Sequence, residues 1–311
     1  MKSKLLFLLL LLLTLALQFA ELIFGSVSIP WNELFLAENA PIVIDIRLLK
    51  MIVAVIAGVA LSVSGLQMQT LFSNPLAGPY VLGLSSGASL GVALVLLGGA
   101  VGPLGIAGAA LCGSGVVMLL LLGVNSRVRD GMSLLILGIM FSSAVGAIVQ
   151  ILQFLSRESA LKSYVVWTMG SLGEVTWPQL WILAGIIVVG LIIAVVTVKD
   201  LNLMMFGPVL ARSMGLDLRR SRALILLSTT LLAGGITAFC GPIGFIGMAV
   251  PHIARGLFRS ADSRILLPAS ALLGADILLA CDLISRLFVL PINSITSLVG
   301  IPVVIYVILR K

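Results

Sequence analysis

Long apolar stretches without charge recur along the whole chain, and the charged residues fall in short clusters between them. An apolar run of about 18 or more residues is long enough to cross, as a helix, the roughly 30 Å hydrocarbon layer of a membrane. This pattern predicts an all-α fold, a polytopic membrane protein with about ten transmembrane helices. The predicted spans are residues 4–24, 48–70, 80–98, 104–124, 132–154, 177–198, 222–240, 243–256, 265–285 and 295–309, of which the eighth is short and rich in glycine.

Composition leads to the same fold class. Apolar residues make up 60% of the chain and charged residues 10%, which leaves too few polar side chains to cover the surface of a water-soluble protein. The apolar run from Leu5 to Phe24 is longer than the core of a secretion signal, and no small-x-small cleavage site follows it. We therefore interpret this run as a true span, and we expect residues 1–311 to form a single membrane domain.

The positions of lysine and arginine predict the orientation. If both termini are cytoplasmic, most of the 19 lysines and arginines lie on the cytoplasmic side, as the positive-inside rule requires. That group is Lys2, Lys4, Arg127, Arg129, Lys199, Arg212, Arg219, Arg220, Arg222, Arg255, Arg259, Arg264, Arg310 and Lys311, whereas Arg47, Lys50, Arg157, Lys162 and Arg286 lie on the other side. The net charge of +7 follows from this topology, and no basic stripe with interleaved aromatic residues indicates a nucleic-acid partner.

Two polar connections are longer than the rest. The first, residues 25–46, is predicted on the outer side. The second runs from Lys199 to Arg222 on the cytoplasmic side and contains a helical patch, Pro208 to Met214, that Gly215 closes. A third irregular stretch, Ser156 to Pro178, carries aromatic residues that suit an interfacial helix.

Residues that could perform catalysis are scarce. The chain has no Gly-Lys pair that could form a phosphate-binding loop, and its single histidine and three isolated cysteines do not match a metal-ligand spacing. We therefore expect neither an enzyme nor a resident cofactor or metal. Transport becomes the default interpretation for a membrane protein of this kind.

Polar groups inside the predicted spans offer two routes for transport. Asp276 and Asp282 lie in the ninth span, and Asp282 can pair with Arg286 one helical turn later. Asp276 is then the one deep acid, which leaves open an ion-coupled secondary transporter. In span five, Ser143, Gly146 or Ala147, Gln150 and Phe154 recur at helical spacing, with Ser142 and Gln153 alongside. Such a stripe either holds a neighbouring helix or lines a wet path.

Glycine-rich stretches indicate a weak internal repeat. Span two, with Gly58 and Gly65, leads into a proline turn, and span seven, with Gly234 and Gly235, leads into another. Under the predicted topology these two spans cross in opposite directions, as in an inverted repeat.

Ordered motifs along nearly the whole chain resemble one family. They are Arg47 with Lys50, Gly65-Leu66-Gln67, Asn74-Pro75-Leu76-Ala77-x-Pro79, Leu82-Gly83-x-Ser85-Ser86-Gly87-Ala88, Trp167-x-Met169-Gly170-Ser171-Leu172, Ala211-Arg212-x-Met214-Gly215, Gly241-Pro242-Ile243-x-Phe245-Ile246-Gly247, Pro251-His252, Asp262-x-Arg264, Asp282 with Arg286, and Leu290-Pro291. With these motifs the chain resembles the FecCD family, the permease subunits of binding-protein-dependent ABC importers for iron–siderophores, haem and cobalamin.

The resemblance implies an inverted-repeat permease of the type II ABC importer class. A member would form a homodimer in the bacterial cytoplasmic (inner) membrane, in contact with lipid, with the substrate path between the two subunits. Two ATP-binding-cassette ATPase subunits would dock on the cytoplasmic side, and a periplasmic or lipid-anchored substrate-binding protein would dock outside. ATP hydrolysis would belong to the separate subunits.

The resemblance also assigns roles to residues. It implies contact with the ATPase through Leu203, Ala211, Arg212, Met214 and Gly215, docking of the binding protein at Arg47, Lys50 and Arg286, and an inner gate at Asn74 and Leu76. Lys50 replaces the arginine that is usual in the family, so its contact would lack a bidentate fork. His252 follows Pro251 near the cytoplasmic surface, a setting that favours a capping or packing role over metal ligation.

Overall fold

Helices account for the regular secondary structure of the described residues. The computed structural model describes residues 2–25, 39–99, 105–125 and 131–309, and no strand occurs within these ranges. The helices are α1 (Lys2–Ile23), α2 (Leu49–Leu71), α3 (Leu84–Leu96), α4 (Gly105–Asn125), α5 (Gly131–Leu155), α6 (Glu158–Thr168), α7 (Trp177–Val196), α8 (Val198–Met204), α9 (Pro208–Ser213), α10 (Leu218–Thr229), α11 (Gly235–Cys240), α12 (Ile246–Phe258), α13 (Ser263–Phe288) and α14 (Ile292–Leu309). Shorter segments lead into three of them: π-helical Ile42–Leu48 before α2, a 3-10 turn Pro79–Leu82 before α3, and π-helical Thr230–Gly234 between α10 and α11.

The all-α membrane fold predicted from hydropathy is confirmed. Every predicted span coincides with a helix, and the span at 222–240 corresponds to α10, the π-helical segment and α11 in continuous succession. By length and composition, six helices of the described residues are able to cross a membrane: Ser3–Ile23, Gly105–Asn125, Met132–Leu155, Trp177–Val196, Leu218–Cys240 and Ser263–Phe288. The number ten is therefore an approximation for full crossings.

The predicted eighth span differs most from a regular crossing. Its helix, α12, has 13 residues and is about 20 Å long at 1.5 Å per residue, which is shorter than the hydrocarbon layer. The residues before it form an irregular turn in which Gly241 has φ +71° and Phe245 has φ +65°. Arg127, Arg129, Arg310 and Lys311 lie outside the described residues, as do 26–38 of the first long connection.

Helix α2 forms the centre of the structure. Most of its side chains are buried, including the polar residues Ser62, Ser64, Gln67 and Gln69. It packs against α7, α10, α12 and α13. A membrane helix enclosed on all sides by other helices needs small residues, because lipid gives no hydrophobic drive that would press bulkier surfaces together.

Glycines supply the close approaches that α2 needs. A Cβ atom on Gly58 would overlap the backbone of Gly274 in α13, and one on Gly65 would overlap the backbone of Gly247 in α12. Gly87 of α3 meets Gly113 of α4 in the same way. The glycines of these spans therefore allow backbone contact between helices.

Capping residues set the ends of the helices on either side of the long basic connection. Thr176 and Gln179 form a capping box at the start of α7. Asp217 accepts hydrogen bonds from the backbone N–H groups of Arg219 and Arg220 at the start of α10. Gly215 has φ +87° just after α9, which confirms the predicted helical patch with its glycine stop.

Replacement of Gly274 tests the central contact. We expect Gly274→Ala to lower the free energy of unfolding by about 1–3 kcal/mol, because the added methyl group meets the backbone of Gly58 and the side chain of Ser62. Gly185→Ala is the matched control, since nothing lies within 4 Å of its added Cβ. In detergent micelles and in a Cys112→Ser background, heating with a thiol-reactive dye would report unfolding through the buried Cys240 and Cys281. Equal unfolding temperatures for the two variants would contradict the packing described here.

Candidate functional site

Buried charges join three helices at one end of the structure. Arg286 of α13 contacts Glu21 of α1 at 2.5 Å and Asp282 at 2.8 Å, and Lys50 of α2 contacts the other oxygen of Asp282 at 2.8 Å. The side chains of Glu21 and Asp282 are fully buried, whereas 7% of the Arg286 side chain and 19% of the Lys50 side chain are exposed. We call these four residues, with Arg47, the ion network.

Arg47 completes the ion network from the segment before α2. Its guanidinium donates hydrogen bonds of 2.7 and 2.8 Å to the carbonyl oxygens of Leu22 and Ile23 at the end of α1. These terminal carbonyls lack partners within their own helix, and a cation is favourable at a helix C-terminus. Arg47 is consequently 3% exposed and holds α1 against the start of α2.

The structure brings together the three cations predicted for docking but gives each of them a partner within the chain. The predicted pair of Asp282 and Arg286 is confirmed. Glu21 and the role of Arg47 at the end of α1 were not predicted from the sequence. Glu21, the one acid in the first predicted span, was the available signal for such a partner.

A polar cavity lies beside the ion network. Its volume is about 310 Å³, and its walls include Lys50, Ser171, Ser285, Arg286 and Pro291. The Lys50 ammonium is therefore reachable from the cavity although it pairs with Asp282. This is the most accessible charge of the network.

The turn after α2, residues Asn74 to Leu76, is held in a defined shape. The Asn74 side chain accepts a hydrogen bond of 2.9 Å from the backbone N–H of Leu76. The Pro75 carbonyl oxygen lies 2.6 Å from Nε2 of His252 in α12, and 37% of Leu76 is exposed. We call this segment the Asn74 turn; its contact agrees with the packing role expected for His252.

The long basic connection folds into two short helices, α8 and α9, which with Gly215 we call the α8–α9 segment. Ala211 is fully buried, Leu203 is half-buried, and Arg212, Met214 and Gly215 are exposed. Around Arg212 the segment presents large apolar side chains that the sequence analysis missed. They are Met205, 48% exposed, Phe206, 60%, Val209, 79%, and Leu210, 53%.

The polar stripe of α5 divides into two parts. The Ser142 hydroxyl bonds the carbonyl of Gly138 at 2.9 Å and lies close to Gly83, so it packs inside the subunit. Ser143 bonds the carbonyl of Ile139 at 3.0 Å and lies with Gln150 on an exposed face. Phe154, 89% exposed, continues this face.

Asp276 ties α1 to α13 in the middle of the structure. The Thr14 hydroxyl lies 2.6 Å from Oδ1 of Asp276, which is 3% exposed. Within the described ranges, no group of three or more histidine, cysteine or acidic side chains could hold a metal ion.

Comparison with known proteins decides the family. The model of the FecCD transport family matches residues 9–310. The chain belongs to the FecCD transport family. It is therefore a multi-pass membrane protein of a transport family, and the interpretation of Asp276 as the centre of an ion-coupled carrier loses its support.

Two characterised relatives cover nearly the full FecCD chain. The hemin transport system permease protein HmuU of Yersinia pestis is 35% identical in an alignment of 323 positions that covers 98% of this chain and 95% of the relative. The vitamin B12 import system permease protein BtuC of Klebsiella pneumoniae is 37% identical in an alignment of 311 positions that covers 97% of this chain and 92% of the relative.

Two solved structures share the FecCD fold. An inward-facing metal-chelate type ABC transporter superposes with a TM-score of 0.88 at 25% identity and covers 98% of this chain and 99% of that one. PsaBC from Streptococcus pneumoniae, solved with a Fab, superposes with a TM-score of 0.58 at 18% identity and covers 82% of this chain and 88% of that one.

Proposed function

We propose that this chain is the permease subunit of a binding-protein-dependent ABC importer for a metal chelate, an iron–siderophore, haem or cobalamin. Separate ATPase subunits would supply the energy, and the chain itself would catalyse no reaction. The observation that carries the proposal is the α8–α9 segment, a compact basic and apolar surface presented by a member of a transport family. The names of its relatives support a chelate as the cargo.

The α8–α9 segment has the properties of a docking surface for the ATPase. Its exposed apolar side chains surround Arg212, whereas Ala211 anchors the segment in the interior. Exposed apolar patches mark interaction sites, and interfaces combine an apolar core with a polar rim and are enriched in aromatic residues, methionine and arginine. Both termini and this segment would then lie in the cytoplasm, in a protein of the bacterial inner membrane.

The cavity beside the ion network suits the binding protein on the other side of the membrane. Lys50 can offer its ammonium to an acidic side chain that enters the cavity, while Arg286 and Arg47 hold the walls in place. Rim charges of this kind chiefly speed and orient docking. We therefore propose that Arg47 and Arg286 support docking by holding the surrounding helices in place, and that Lys50 makes the direct contact with the binding protein.

Two copies of the chain would enclose the path. The exposed face of α5 with Ser143 and Gln150 would line the path between the subunits, with Ser142 behind it. At the cytoplasmic end, Asn74 and the exposed Leu76 would close the path as an inner gate. Uncharged polar walls suit a bulky polar cargo.

Loss of the apolar contact or of the charge at α9 tests the function. We expect Val209→Asp to weaken ATPase binding at least tenfold, because a carboxylate would be buried in the interface; this equals about 1.4 kcal/mol. Arg212→Glu should uncouple ATP hydrolysis from uptake while the permease stays folded. Co-purification with the ATPase, and uptake of haem and of cyanocobalamin into proteoliposomes, measure these effects.

Matched controls for this test lie in α6, which is predicted on the opposite side of the membrane. Val166 is 50% exposed and Lys162 is exposed, so Val166→Asp and Lys162→Glu introduce the same changes away from α9. Normal ATPase binding by Val209→Asp together with unchanged uptake by Arg212→Glu would contradict the proposed role of the α8–α9 segment.

Neutralisation of Lys50 tests the docking proposal. We expect Lys50→Gln to slow association of the binding protein and to reduce the salt dependence of its rate, because the accessible charge of the cavity is lost. Lys162→Gln, an exposed lysine of α6, should leave both quantities as they are. Surface plasmon resonance at low and at high salt measures them. Identical rates for the two variants would exclude Lys50 as a docking contact.

A further inference from the structure

A single asparagine ties α8 to the turn between α12 and α13. The Asn202 amide donates a hydrogen bond of 2.7 Å to Asp262, and its oxygen accepts one of 2.8 Å from the backbone N–H of Ser263. The Arg264 N–H, with help from the Asn202 amide, holds the pKa of Asp262 below its ordinary value, so the carboxylate stays charged. Through its amide nitrogen and its amide oxygen, Asn202 therefore binds both Asp262, the last residue of the connection between α12 and α13, and Ser263, the first residue of α13.

The connection between α12 and α13 is short. The helix ends at Phe258, Arg259 follows in the left-handed region with φ +48°, and α13 begins at Ser263. Such a short link transmits a displacement because it has little slack. Movement of α8 at Asn202 is therefore passed to the end of α12.

Polar contacts fasten α12 to the end of α2 and to the Asn74 turn. Gln69 of α2 donates to the carbonyl of Met248 at 2.9 Å and accepts from the Arg255 guanidinium. His252 lies 2.6 Å from the Pro75 carbonyl oxygen. Because a carbonyl oxygen can only accept, Nε2 of His252 carries the proton in this contact.

A second, apolar route joins α8–α9 to the Asn74 turn, because Leu71, Ala77, Met204 and Ala211 belong to one buried cluster. A cavity of about 110 Å³ lies beside this cluster, and Phe72, Ser73, Met204 and Pro208 are among the residues that line it. An empty space passes on small displacements poorly, because the atoms that line it have no partner on one side. Directional hydrogen bonds define both ends of the route through α12, and a cavity of about 540 Å³ borders the His252 end.

We propose that α12 transmits movement of the α8–α9 segment to the Asn74 turn, with Asn202 and His252 as the positioning residues at its two ends. The proposal rests on the proposed function, in which ATPase subunits move the segment and the turn is the gate. Helix α12 has 13 residues and packs against α2, α13 and α14, so a displacement at its end reaches the elements that it contacts. Asn202 and His252 do not contact the cargo in this account; they act through the Asn74 turn.

The test measures the response of the turn without any cargo. Leu76→Cys in a Cys112→Ser background is reconstituted in nanodiscs with the ATPase subunits, and the rate of maleimide labelling is compared with and without ATP and vanadate. We expect the labelling rate of the reference protein with ATP and vanadate to differ from its rate without them, so that the ratio of the two rates differs from 1. Asn202→Asp, which loses the donor to Asp262 and places two carboxylates together, should bring the ratio to 1 while ATP hydrolysis continues.

Two rescue variants separate positioning from folding. The exchanged pair Asn202→Asp with Asp262→Asn restores a donor and an acceptor, so we expect at least half of the lost response to return. His252→Leu should abolish the response, and His252→Gln, whose amide can donate to Pro75, should keep most of it. A dye-based unfolding scan verifies that all variants are folded.

The outcomes distinguish this inference from the proposed function. A reference chain that does not bind the ATPase subunits, or that shows no nucleotide-dependent ratio, overturns both. A normal reference with unchanged ratios in Asn202→Asp and His252→Leu overturns the role of α12 alone and favours the apolar route past Phe72 and Met204. Failure of both rescues would likewise overturn the positioning roles, because the losses would then be structural.

Discussion

The structure depends on how closely the backbone of α2 approaches its neighbours. Gly58 meets Gly274 of α13, and Gly65 meets Gly247 of α12, at separations that leave no space for a side chain. In lipid, such contacts replace the hydrophobic drive that packs soluble helices. They fix α2 along most of its length, so that Lys50 at one end and Gln69 at the other stand in a constant relation to each other.

The two ends of α2 have different physical character. At the Lys50 end, buried ions join α1, α2 and α13, and loss of one partner of a buried ion pair typically costs about 3–5 kcal/mol. At the Gln69 end, hydrogen bonds to α12 and an exposed, short-helix segment replace the ions. In the proposed function, the Lys50 end receives the binding protein, and the Gln69 end lies next to the Asn74 turn that is proposed as the gate. The proposed import cycle uses this difference.

Hydropathy predicted the helices because lipid leaves the backbone few alternatives to a helix. Helical spacing predicted the pairing of Asp282 with Arg286, which are one turn apart. It did not predict the contact of Arg47 with the end of α1, because a long connection separates them along the chain. The short length of α12 follows from the turn at Gly241 and Phe245, whose conformations the sequence shows only as glycine and proline content. The exposure of Phe206 and Val209 was not predicted, because the sequence does not show which side of a short helix faces outward; their apolar character outside any span was the available signal.

The central claim is that the α8–α9 segment faces the cytoplasm, where an ATPase can bind it. The most direct test uses an impermeant thiol label on Ser213→Cys, an exposed position of α9, in a Cys112→Ser background, with Ser163→Cys of α6 as the opposite-side control. We expect Ser213→Cys to be labelled in inside-out vesicles and Ser163→Cys in right-side-out vesicles. Labelling of Ser213→Cys in sealed right-side-out vesicles would show that the α8–α9 segment does not face the cytoplasm.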